Sequence, residues 1–367
     1  MPVSQVKLAC DHSIMRPIFT EISHTAQHDV RTGIQTVVRG LFSGLSDANK
    51  DFQAVRWSAW RNALVRLGRH RKGRLGIGDR AGEHHRPGDF AGAWLLLPEV
   101  NYGSRLDRII AYARKQQMLL AAIFHDAIPI SHPELVRRKA AKCHAEYMTA
   151  LCNADLIIAV SNSAAEQFRL FAQRHRLRLP PIYVCSLAGE FFGKERVLAK
   201  PIGSPNLVNI LCVSTLDPRK NHSTLFEAFD LASAAVSQPE LRLHLVGDIY
   251  KDARFIVERV KAAMTRNGNI SWHGKITDHQ LANFYRECDF TIFPSFLEGF
   301  GLPIIQSLWN RRPCVCANFG AMAETAKGGG CFTVDVRDPA KLSGAIVTLD
   351  PFRCAAEASR GDRGAAF

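Results

Sequence analysis

One stretch of the chain, residues 291–324, constrains the fold more than any other. It reads TIFPSFLEGFGLPIIQSLWNRRPCVCANFGAMAE and contains two short apolar runs, TIFPS and PCVCA, that are typical of buried strands. Between these runs, Pro303 suits the first turn of a helix whose apolar residues repeat at helical spacing: Ile304, Ile305, Leu308 and Trp309. The pattern therefore predicts an α/β sheet containing this strand, helix and strand in succession.

The turn after the first of these strands predicts a ligand site. It carries one acidic residue, Glu298, and Gly299 and Gly301 leave its backbone open to close approach. In an open α/β sheet, ligands bind beyond the carboxyl ends of the strands, where helix N-termini present free N–H groups to anions. Glu298 and residues 318–320 would both lie on that edge. Considered alone, Glu298 is explained equally well as a solvated turn carboxylate.

The segment EGFGLP, preceded by FPS, resembles the donor-sugar motif of the family-four retaining glycosyltransferases. The resemblance implies an α/β fold of the GT-B type, in which two Rossmann-like, doubly wound domains face a central cleft. That family usually has a second glutamate where this chain has Gln306, whose amide still hydrogen-bonds hydroxyl groups but without a charge-assisted bond. The resemblance implies a catalytic role for Glu298. It also implies nucleotide-sugar binding by five residues: Gly299, Phe300, Gly301, Leu302 and Gln306.

Two adjacent cations, Arg219 and Lys220, form a second candidate site at the start of a predicted helix in NILCVSTLDPRKNHSTLFEAF. Cations at that end oppose the helix dipole, so local helix stability does not explain them, whereas a bound diphosphate does. A solvated pair of cations is the alternative. The segment resembles the family's LxPRKN loop, whose lysine binds the donor phosphates, and this implies phosphate binding by Lys220 and Arg219 and a catalytic role for Lys220.

Five further candidates rest on resemblance at strand ends and turns. HDAIPISHPE resembles a family segment in which a histidine, here His125, hydrogen-bonds the donor sugar; a structural histidine is the alternative. Gly33, in TGIQ, and its neighbour Gln35 would lie near the acceptor or the diphosphate. Ser161 would lie on the cleft wall as a residue that contacts the sugar nucleotide, although it is also a candidate helix cap. Gly274 would lie near the nucleotide base.

The length of 367 residues fits two domains. We predict an N-terminal, acceptor-binding domain over residues 1–200, a nucleotide-sugar-binding domain over 207–345, and a short irregular tail over 346–367. The polar linker between the domains is predicted at residues 194–206. Residues 61–89 are basic and rich in glycine, and we predict a loop or partial disorder there.

Charge and cysteine usage restrict the partners and the compartment. Residues 1–200 hold 29 Lys and Arg against 17 Asp and Glu, a net charge of +12, which favours an anionic partner. No nucleic-acid-binding module accompanies the charge, so a membrane surface is preferred to nucleic acid; an ordinary solvated face is the alternative. The preferred membrane-facing element is a helix with four basic residues: Arg137, Arg138, Lys139 and Lys142. Scattered cysteines, such as Cys212, Cys314 and Cys316, and the lack of a signal peptide predict a cytoplasmic protein at the inner face of the membrane.

The resemblance implies transfer of a sugar from a nucleotide diphosphate donor with retention of the anomeric configuration. The sugar would be mannose from GDP-mannose, or rhamnose from dTDP-rhamnose, as in bacterial polysaccharide mannosyl- and rhamnosyltransferases. The acceptor would be a polyprenyl-diphosphate-linked oligosaccharide of exopolysaccharide or O-antigen synthesis. No Asp-x-Asp pair is present, so we expect no metal and no other cofactor. The alternatives are a phosphorylase or sugar-nucleotide epimerase of the same fold, or a non-catalytic sugar-nucleotide-binding subunit.

Overall fold

A computed structural model describes the chain in seven segments: residues 16–27, 33–48, 52–67, 90–136, 138–189, 206–250 and 253–349. The chain divides into two compact units. The first comprises Met1–Ile123, Glu146–Ile158 and Arg176–Tyr183. The second comprises Phe124–Ala145, Ala159–His175 and Val184–Phe367. The predicted linker falls almost wholly outside the described residues, and the predicted domain bounds stay a prediction.

Within the described residues, the first sheet has seven strands: β1 (Ile18–Glu21), β2 (Phe52–Ser58), β3 (Ala63–Arg66), β4 (Trp94–Leu97), β5 (Leu119–Phe124), β6 (Leu156–Ala159) and β7 (Ile182–Val184). Their spatial order is β3-β2-β1-β4-β5-β6-β7. The pairs β2–β1, β1–β4 and β4–β5 are parallel, whereas β2 and β3 form an antiparallel hairpin. A parallel sheet that ends in an antiparallel edge strand is common among doubly wound folds.

Strand β3 corrects the prediction of a loop over residues 61–89. Leu64 pairs with Trp57 across the hairpin, and both side chains are buried. Burial of this cross-strand pair stabilises the short strand at the edge of the sheet, although its sequence lacks a long alternating pattern. Residues 68–89, the rest of the predicted loop, lie outside the described residues.

Along the chain from β1 to β7, the described sequence contains six helices: α1 (Ser23–Gln27), α2 (Gly33–Ala48), α3 (Ser104–Lys115), α4 (Ile128–Ser131), α5 (Arg138–Leu151) and α6 (Asn162–Arg174). Helices α2, α3, α5 and α6 follow the apolar periodicity of the sequence. In α5, Lys139 and Lys142 are exposed, so two of the four predicted membrane-facing cations lie on an accessible face.

In the part of the chain that the structure describes, the second sheet has six strands: β8 (Leu207–Val213), β9 (Glu240–Val246), β10 (Ile270–Trp272), β11 (Phe290–Phe293), β12 (Cys314–Ala317) and β13 (Cys331–Val334). Every neighbouring pair is parallel, and the order is β10-β9-β8-β11-β12-β13. The chain therefore builds one half of the sheet outward from β8 and the other half outward from β11. The gap between the loops that follow β8 and β11 is where the strand order reverses, which is the usual ligand position in such sheets.

Both faces of β8 are buried, which is why its sequence, LVNILCV, is almost continuously apolar. Leu211 packs on one face with Tyr285 and Val246. Cys212 belongs to the larger core on the other face, where Phe229 is fully buried. Two-sided burial fixes the register of this strand, and with it the position of the loop that follows Val213.

In the described residues, five helices connect these strands and a sixth follows β13: α7 (His222–Ala235), α8 (Arg254–Arg266), α9 (Asp278–Glu287), α10 (Leu302–Trp309), α11 (Gly320–Ala326) and α12 (Pro339–Thr348). Side-chain caps fix two of their starts. Thr277 and Gln280 form a reciprocal capping box at α9, and the Asp338 carboxylate accepts hydrogen bonds from two backbone N–H groups at the start of α12. Helix α12 continues to Thr348, beyond the predicted start of the tail at 346; residues 350–367 lie outside the described residues.

Cys212, Cys314 and Cys316 are buried free thiols, as predicted. Burial raises the pKa of Cys212 to about 12, so this thiol stays protonated at neutral pH. In the described part of the chain, no helix is both long enough and apolar enough to cross a membrane.

His222 is a buried titratable group at the start of α7. Its Nε2 lies 3.1 Å from the Ser214 hydroxyl oxygen, and its side chain is almost fully enclosed. Burial, and then the nearby Lys220 cation, lower the pKa of His222 to about 4, which outweighs the opposite effect of Asp217. The imidazole is therefore neutral at physiological pH.

This lowered pKa predicts a pH dependence of stability. Because the folded-state pKa lies below the unfolded value of about 6.5, protons bind preferentially to the unfolded chain between these two values. The stabilisation is present above pH 6.5 and is lost as the pH falls towards 4. We expect the free energy of unfolding to fall by about 2 kcal/mol more in the wild type than in His222→Gln between pH 7 and pH 5. Urea unfolding of both proteins at the two pH values measures this difference, and equal losses would contradict the burial argument.

Candidate active site

The loops that follow β8 and β11 meet at the point where the strand order of the second sheet reverses. The backbone N–H of Phe296 donates to the carbonyl oxygen of Arg219 at 2.8 Å. Ser295, which is fully buried, places its hydroxyl oxygen 3.1 Å from the same carbonyl. The predicted phosphate-binding cations and the predicted sugar-binding glutamate are thus carried by two loops that are bonded to each other.

Asp217 fixes the cation loop. Its buried carboxylate accepts hydrogen bonds from the backbone N–H of Arg219 at 2.9 Å and from the guanidinium Nη2 at 2.9 Å. Burial alone would lower the pKa of Arg219, but the hydrogen bonds and charge of Asp217 outweigh it and raise this pKa. The next residues form a 3₁₀ turn, Pro218–Lys220, that ends at Asn221 in the left-handed region, with φ of 58°. The turn holds both cations before α7.

Lys220 and Glu298 form an ion pair, with the ammonium nitrogen Nζ hydrogen-bonded to Oε1 of the carboxylate. The two side chains are only 13% and 14% exposed, so water screens their charges weakly. The hydroxyl oxygen of Ser295 lies 2.6 Å from the same carboxylate oxygen, and Nζ lies 5.1 Å from the centre of the Phe293 ring. The site therefore combines one cation, one carboxylate and one hydroxyl in a largely dry environment.

Gly299 is required by a close approach of two backbone segments. A Cβ atom at this position would lie 1.9 Å from the carbonyl oxygen of His125, so no larger residue fits without displacing the backbone. Gly301 begins α10 with φ of 97°, a conformation that side chains rarely adopt. Phe300 is buried between the two glycines, and Leu302 is the first residue of α10. The predicted double-glycine turn thus has a physical reason at each glycine.

Gln306 and Gly274 lie on other elements of the second unit. Gln306 is half-buried on α10, and its Oε1 lies 3.4 Å from the hydroxyl of Tyr285. Gly274 follows β10 with φ of 62°, and its carbonyl oxygen accepts a hydrogen bond from the N–H of Gly247 at 2.9 Å. Donor binding by these two residues stays a prediction.

His125 is buried immediately after β5, in the second unit. The loop that carries it is fixed, because the neighbouring Asp126 accepts a hydrogen bond from the N–H of Ile128 at 3.0 Å. Gly33 lies in the first unit as the exposed first residue of α2. In the same helix, the Gln35 side chain is buried and lies 3.0 Å from Nδ1 of His24.

The structure adds residues that the sequence patterns did not single out. Asp217 and Ser295 organise the two loops, and Glu324 of α11 bonds to the start of α6. Ser161 caps α6, because its side chain accepts a hydrogen bond from the N–H of Ala164. A helix cap was one of the two roles predicted for this residue. Asp217 directly precedes the PRK of the quoted segment and Ser295 is the serine of FPS, but only the three-dimensional contacts reveal their roles.

Within the described segments, no cluster of three or more His, Cys, Asp or Glu side chains has the arrangement of a metal site. The expectation of a metal-independent reaction is not decided by that observation and remains a prediction.

Sequence comparison links this chain to mannosyltransferases. It is 25% identical over 334 residues to the serotype-specific mannosyltransferase WbdA of Escherichia coli, which covers 85% of this chain and 39% of WbdA. It is 29% identical over 138 residues to the O-antigen chain mannosyltransferase B of Escherichia coli, which covers 37% of this chain and 35% of that protein. The chain thus spans about two fifths of the length of the WbdA protein that it matches.

Structural comparison confirms the predicted α/β, GT-B fold class. The crystal structure of HepE from Anabaena, in complex with UDP and glucose, superposes with a TM-score of 0.62 at 16% sequence identity and covers 94% of this chain and 95% of HepE. The sucrose-phosphate synthase from Thermosynechococcus elongatus superposes with the same TM-score of 0.62 at 17% identity, over 92% of this chain and 93% of that protein. At such identities, these likenesses establish the fold alone.

Family comparison covers the unit that carries both loops. Residues 208–349 match the family model described as glycosyl transferases group 1. The matched range includes Lys220, Glu298 and Gln306, so the family resemblance carried by those residues is confirmed. Residues 208–349 of this chain form a domain of the glycosyl transferases group 1 family.

Proposed function

We propose that this protein is a retaining glycosyltransferase that transfers mannose from GDP-mannose to a polyprenyl-diphosphate-linked oligosaccharide in O-antigen synthesis. The observation that carries the proposal is the ion pair between Lys220 and Glu298, enclosed at the strand-order reversal of a group 1 glycosyltransferase domain. The names of the Escherichia coli relatives support mannose over rhamnose, the other sugar that the sequence resemblance implied.

The two cations suit a diphosphate leaving group. As the bond between the sugar and the diphosphate breaks, negative charge grows on the diphosphate and positive charge grows on the sugar ring. Lys220 stabilises the first charge, and Arg219 adds a second cation whose position is fixed by Asp217. Preorganised charges act strongly in such a site because little water screens them. This arrangement requires no metal ion, and we propose that the reaction proceeds without one.

In the same reaction, we expect Glu298 to stabilise the positive charge that develops on the sugar. Its carboxylate is held by Lys220 and Ser295, so its charge has a defined position before the sugar develops positive character. His125, which lies in the segment against Gly299, is proposed as a further sugar contact. Gly299, Phe300, Gly301 and Leu302 would contact the donor through the turn, and Gln306 and Gly274 would contact its nucleoside part.

The positive charge of the N-terminal half supports an anionic acceptor at a membrane surface. Residues 1–200 carry a net charge of +12, and Lys139 and Lys142 are exposed on α5. An anionic membrane surface stabilises each nearby Lys or Arg by about 1 kcal/mol. We propose that the protein acts at the inner face of the cytoplasmic membrane, where a lipid-diphosphate acceptor carries charge of the complementary sign.

A transfer assay with the purified full chain tests this function. GDP-mannose, dTDP-rhamnose and UDP-glucose are each incubated with membrane extract containing lipid-linked oligosaccharide, with and without EDTA. We expect labelled sugar to appear in the lipid fraction with GDP-mannose alone, and to an equal extent in EDTA, because side-chain cations replace the metal. Strict dependence on added Mg²⁺ would contradict the metal-free mechanism. Product formation that requires inorganic phosphate would favour a phosphorylase instead.

Two substitutions separate the proposed roles of Glu298 and Gln306. Glu298→Gln should lower kcat by about 30- to 1,000-fold, because the developing positive charge loses its anion in a weakly screened site. Gln306→Ala should mainly raise KM for the donor, as expected when a contact made equally in ground state and transition state is lost. Steady-state kinetics on both variants measures the split. A near-normal kcat in Glu298→Gln together with an abolished kcat in Gln306→Ala would mean that the roles are reversed.

A further inference from the structure

We propose that Ser161 and Glu324 are positioning residues, which together clamp the turn at Gly299 and Phe300 and so set the position of Glu298. The clamp consists of four residues: Ser161, Glu324, Thr325 and Asn162. All of them lie in the second unit with the turn that they hold. This inference rests on the proposed function, because the clamp matters for catalysis only if Glu298 is the catalytic carboxylate.

The first contact is made by the hydroxyl group of Ser161. It donates to the carbonyl oxygen of Gly299 at 2.6 Å and accepts from the N–H of Ala164 at 3.0 Å. The side chain is 1% exposed. A hydroxyl has a single proton, and here that proton is committed to the Gly299 carbonyl. Ser161 therefore holds the turn, a role different from the direct contact to the sugar nucleotide that the sequence resemblance implied.

The second contact is made by the carboxylate of Glu324. One oxygen accepts from the backbone N–H and from the side-chain amide of Asn162, at 2.8 Å and 2.7 Å, and the other accepts from the N–H of Ser163 at 3.1 Å. These groups are the first turn of α6, whose dipole favours a negative charge at that end. Glu324 thus joins α11 to the start of α6.

The third contact links α11 back to the same turn. Thr325, the residue after Glu324, donates from its hydroxyl to the carbonyl oxygen of Phe300 at 2.6 Å. The carbonyl of Gly299 is therefore bonded to the start of α6, and the next carbonyl, that of Phe300, is bonded to α11. These two helices are also bonded to each other. On the other side, the His125 carbonyl packs against the Cα of Gly299.

These contacts fix the backbone immediately after Glu298. Its carboxylate meets Lys220 and Ser295 only when the turn keeps this position, and loss of a fixed point frees the turn to move. Displacement of a catalytic group by about 1 Å can lower a rate by about 100-fold. Removal of the clamp should therefore reduce kcat more than it changes KM.

The test compares substitutions that break the clamp with substitutions that preserve it. Ser161→Ala and Glu324→Ala remove the hydrogen bonds. Ser161→Thr retains the hydroxyl, and Glu324→Gln retains one acceptor oxygen for the two Asn162 groups but loses the acceptor for the N–H of Ser163. Asp338→Ala is the matched control for loss of a helix cap. Asp338 caps α12 through its own N–H contacts and has no bond to the Gly299 turn. Two readouts are measured: steady-state kinetics, and hydrogen–deuterium exchange of peptides covering residues 295–302.

We expect Ser161→Ala and Glu324→Ala each to lower kcat by about 10-fold or more, with KM changed by less than about 3-fold. Deuterium uptake at residues 295–302 should rise in both. Ser161→Thr should recover most of kcat, and Glu324→Gln should recover part of it, because one acceptor oxygen remains. Asp338→Ala should leave kcat within about 2-fold of the wild type and should not raise uptake in these peptides. Because both residues act on one turn, the effects of the double variant should be less than additive.

The two readouts separate failure of the clamp from failure of the proposed function. If the wild type transfers no sugar but Ser161→Ala raises uptake at residues 295–302, the clamp exists and the proposed function is wrong. Unchanged uptake in both alanine variants would overturn the clamp whatever the activity. An increase in KM alone would also overturn it, because that result assigns Ser161 and Glu324 to donor binding.

Discussion

The contact between the Lys220 ammonium and the Glu298 carboxylate is the interaction on which the rest of the second unit depends. The two residues are 78 positions apart in the chain and lie on loops that follow different strands. Desolvation of two charges is unfavourable unless further hydrogen bonds hold them in good geometry. Ser295, which lies beside Glu298, and the bond from Phe296 to the Arg219 carbonyl supply that geometry. The loops are therefore arranged to keep two opposite charges together with little water.

The parallel sheet explains why these loops meet. Strands β8 and β11 are parallel, hydrogen-bonded neighbours, so the loops that follow them leave the same edge of the sheet side by side, at the point where the strand order reverses. Burial on both faces fixes the register of β8, and the Asp217 carboxylate then fixes Arg219 against the backbone. Neutral His222 adds no further positive charge behind Lys220. The fold thus places Arg219 and Lys220 on the loop after β8, with Lys220 in contact with Glu298 on the loop after β11.

Much of this arrangement was predictable from the sequence because it depends on local patterns. The apolar runs of β11 and β12 and the helical spacing of α10 appear directly in residues 291–324. The glycines at 299 and 301 mark a backbone that must approach closely or adopt a positive φ. The Arg219–Lys220 pair was identifiable because cations at a helix start have no local explanation. Each of these signals lies within a few residues of the feature that it predicts.

The features that escaped prediction depend on contacts between distant segments. The bond from Ser161 to Gly299 joins residues 138 positions apart, and Glu324 lies 162 positions from Asn162, so no local pattern contains either. The four residues of strand β3 were predicted to lie in a loop. They form a strand because they pair with β2, and this pairing cannot be seen in the local sequence. The sequence patterns also did not reveal the partner of Lys220. They predicted that this residue binds phosphate, but not that it forms an ion pair with Glu298.

The central claim is that Lys220 serves both Glu298 and the diphosphate of the donor, and GDP binding tests it most directly. If a carboxylate and a phosphate compete for one ammonium group, removal of the carboxylate charge must strengthen phosphate binding, and removal of the ammonium must weaken it. Isothermal titration of GDP into the wild type, Glu298→Gln and Lys220→Met measures both effects. The account predicts a lower Kd for Glu298→Gln and a Kd at least about 10-fold higher for Lys220→Met. Equal affinity of all three proteins for GDP would contradict it.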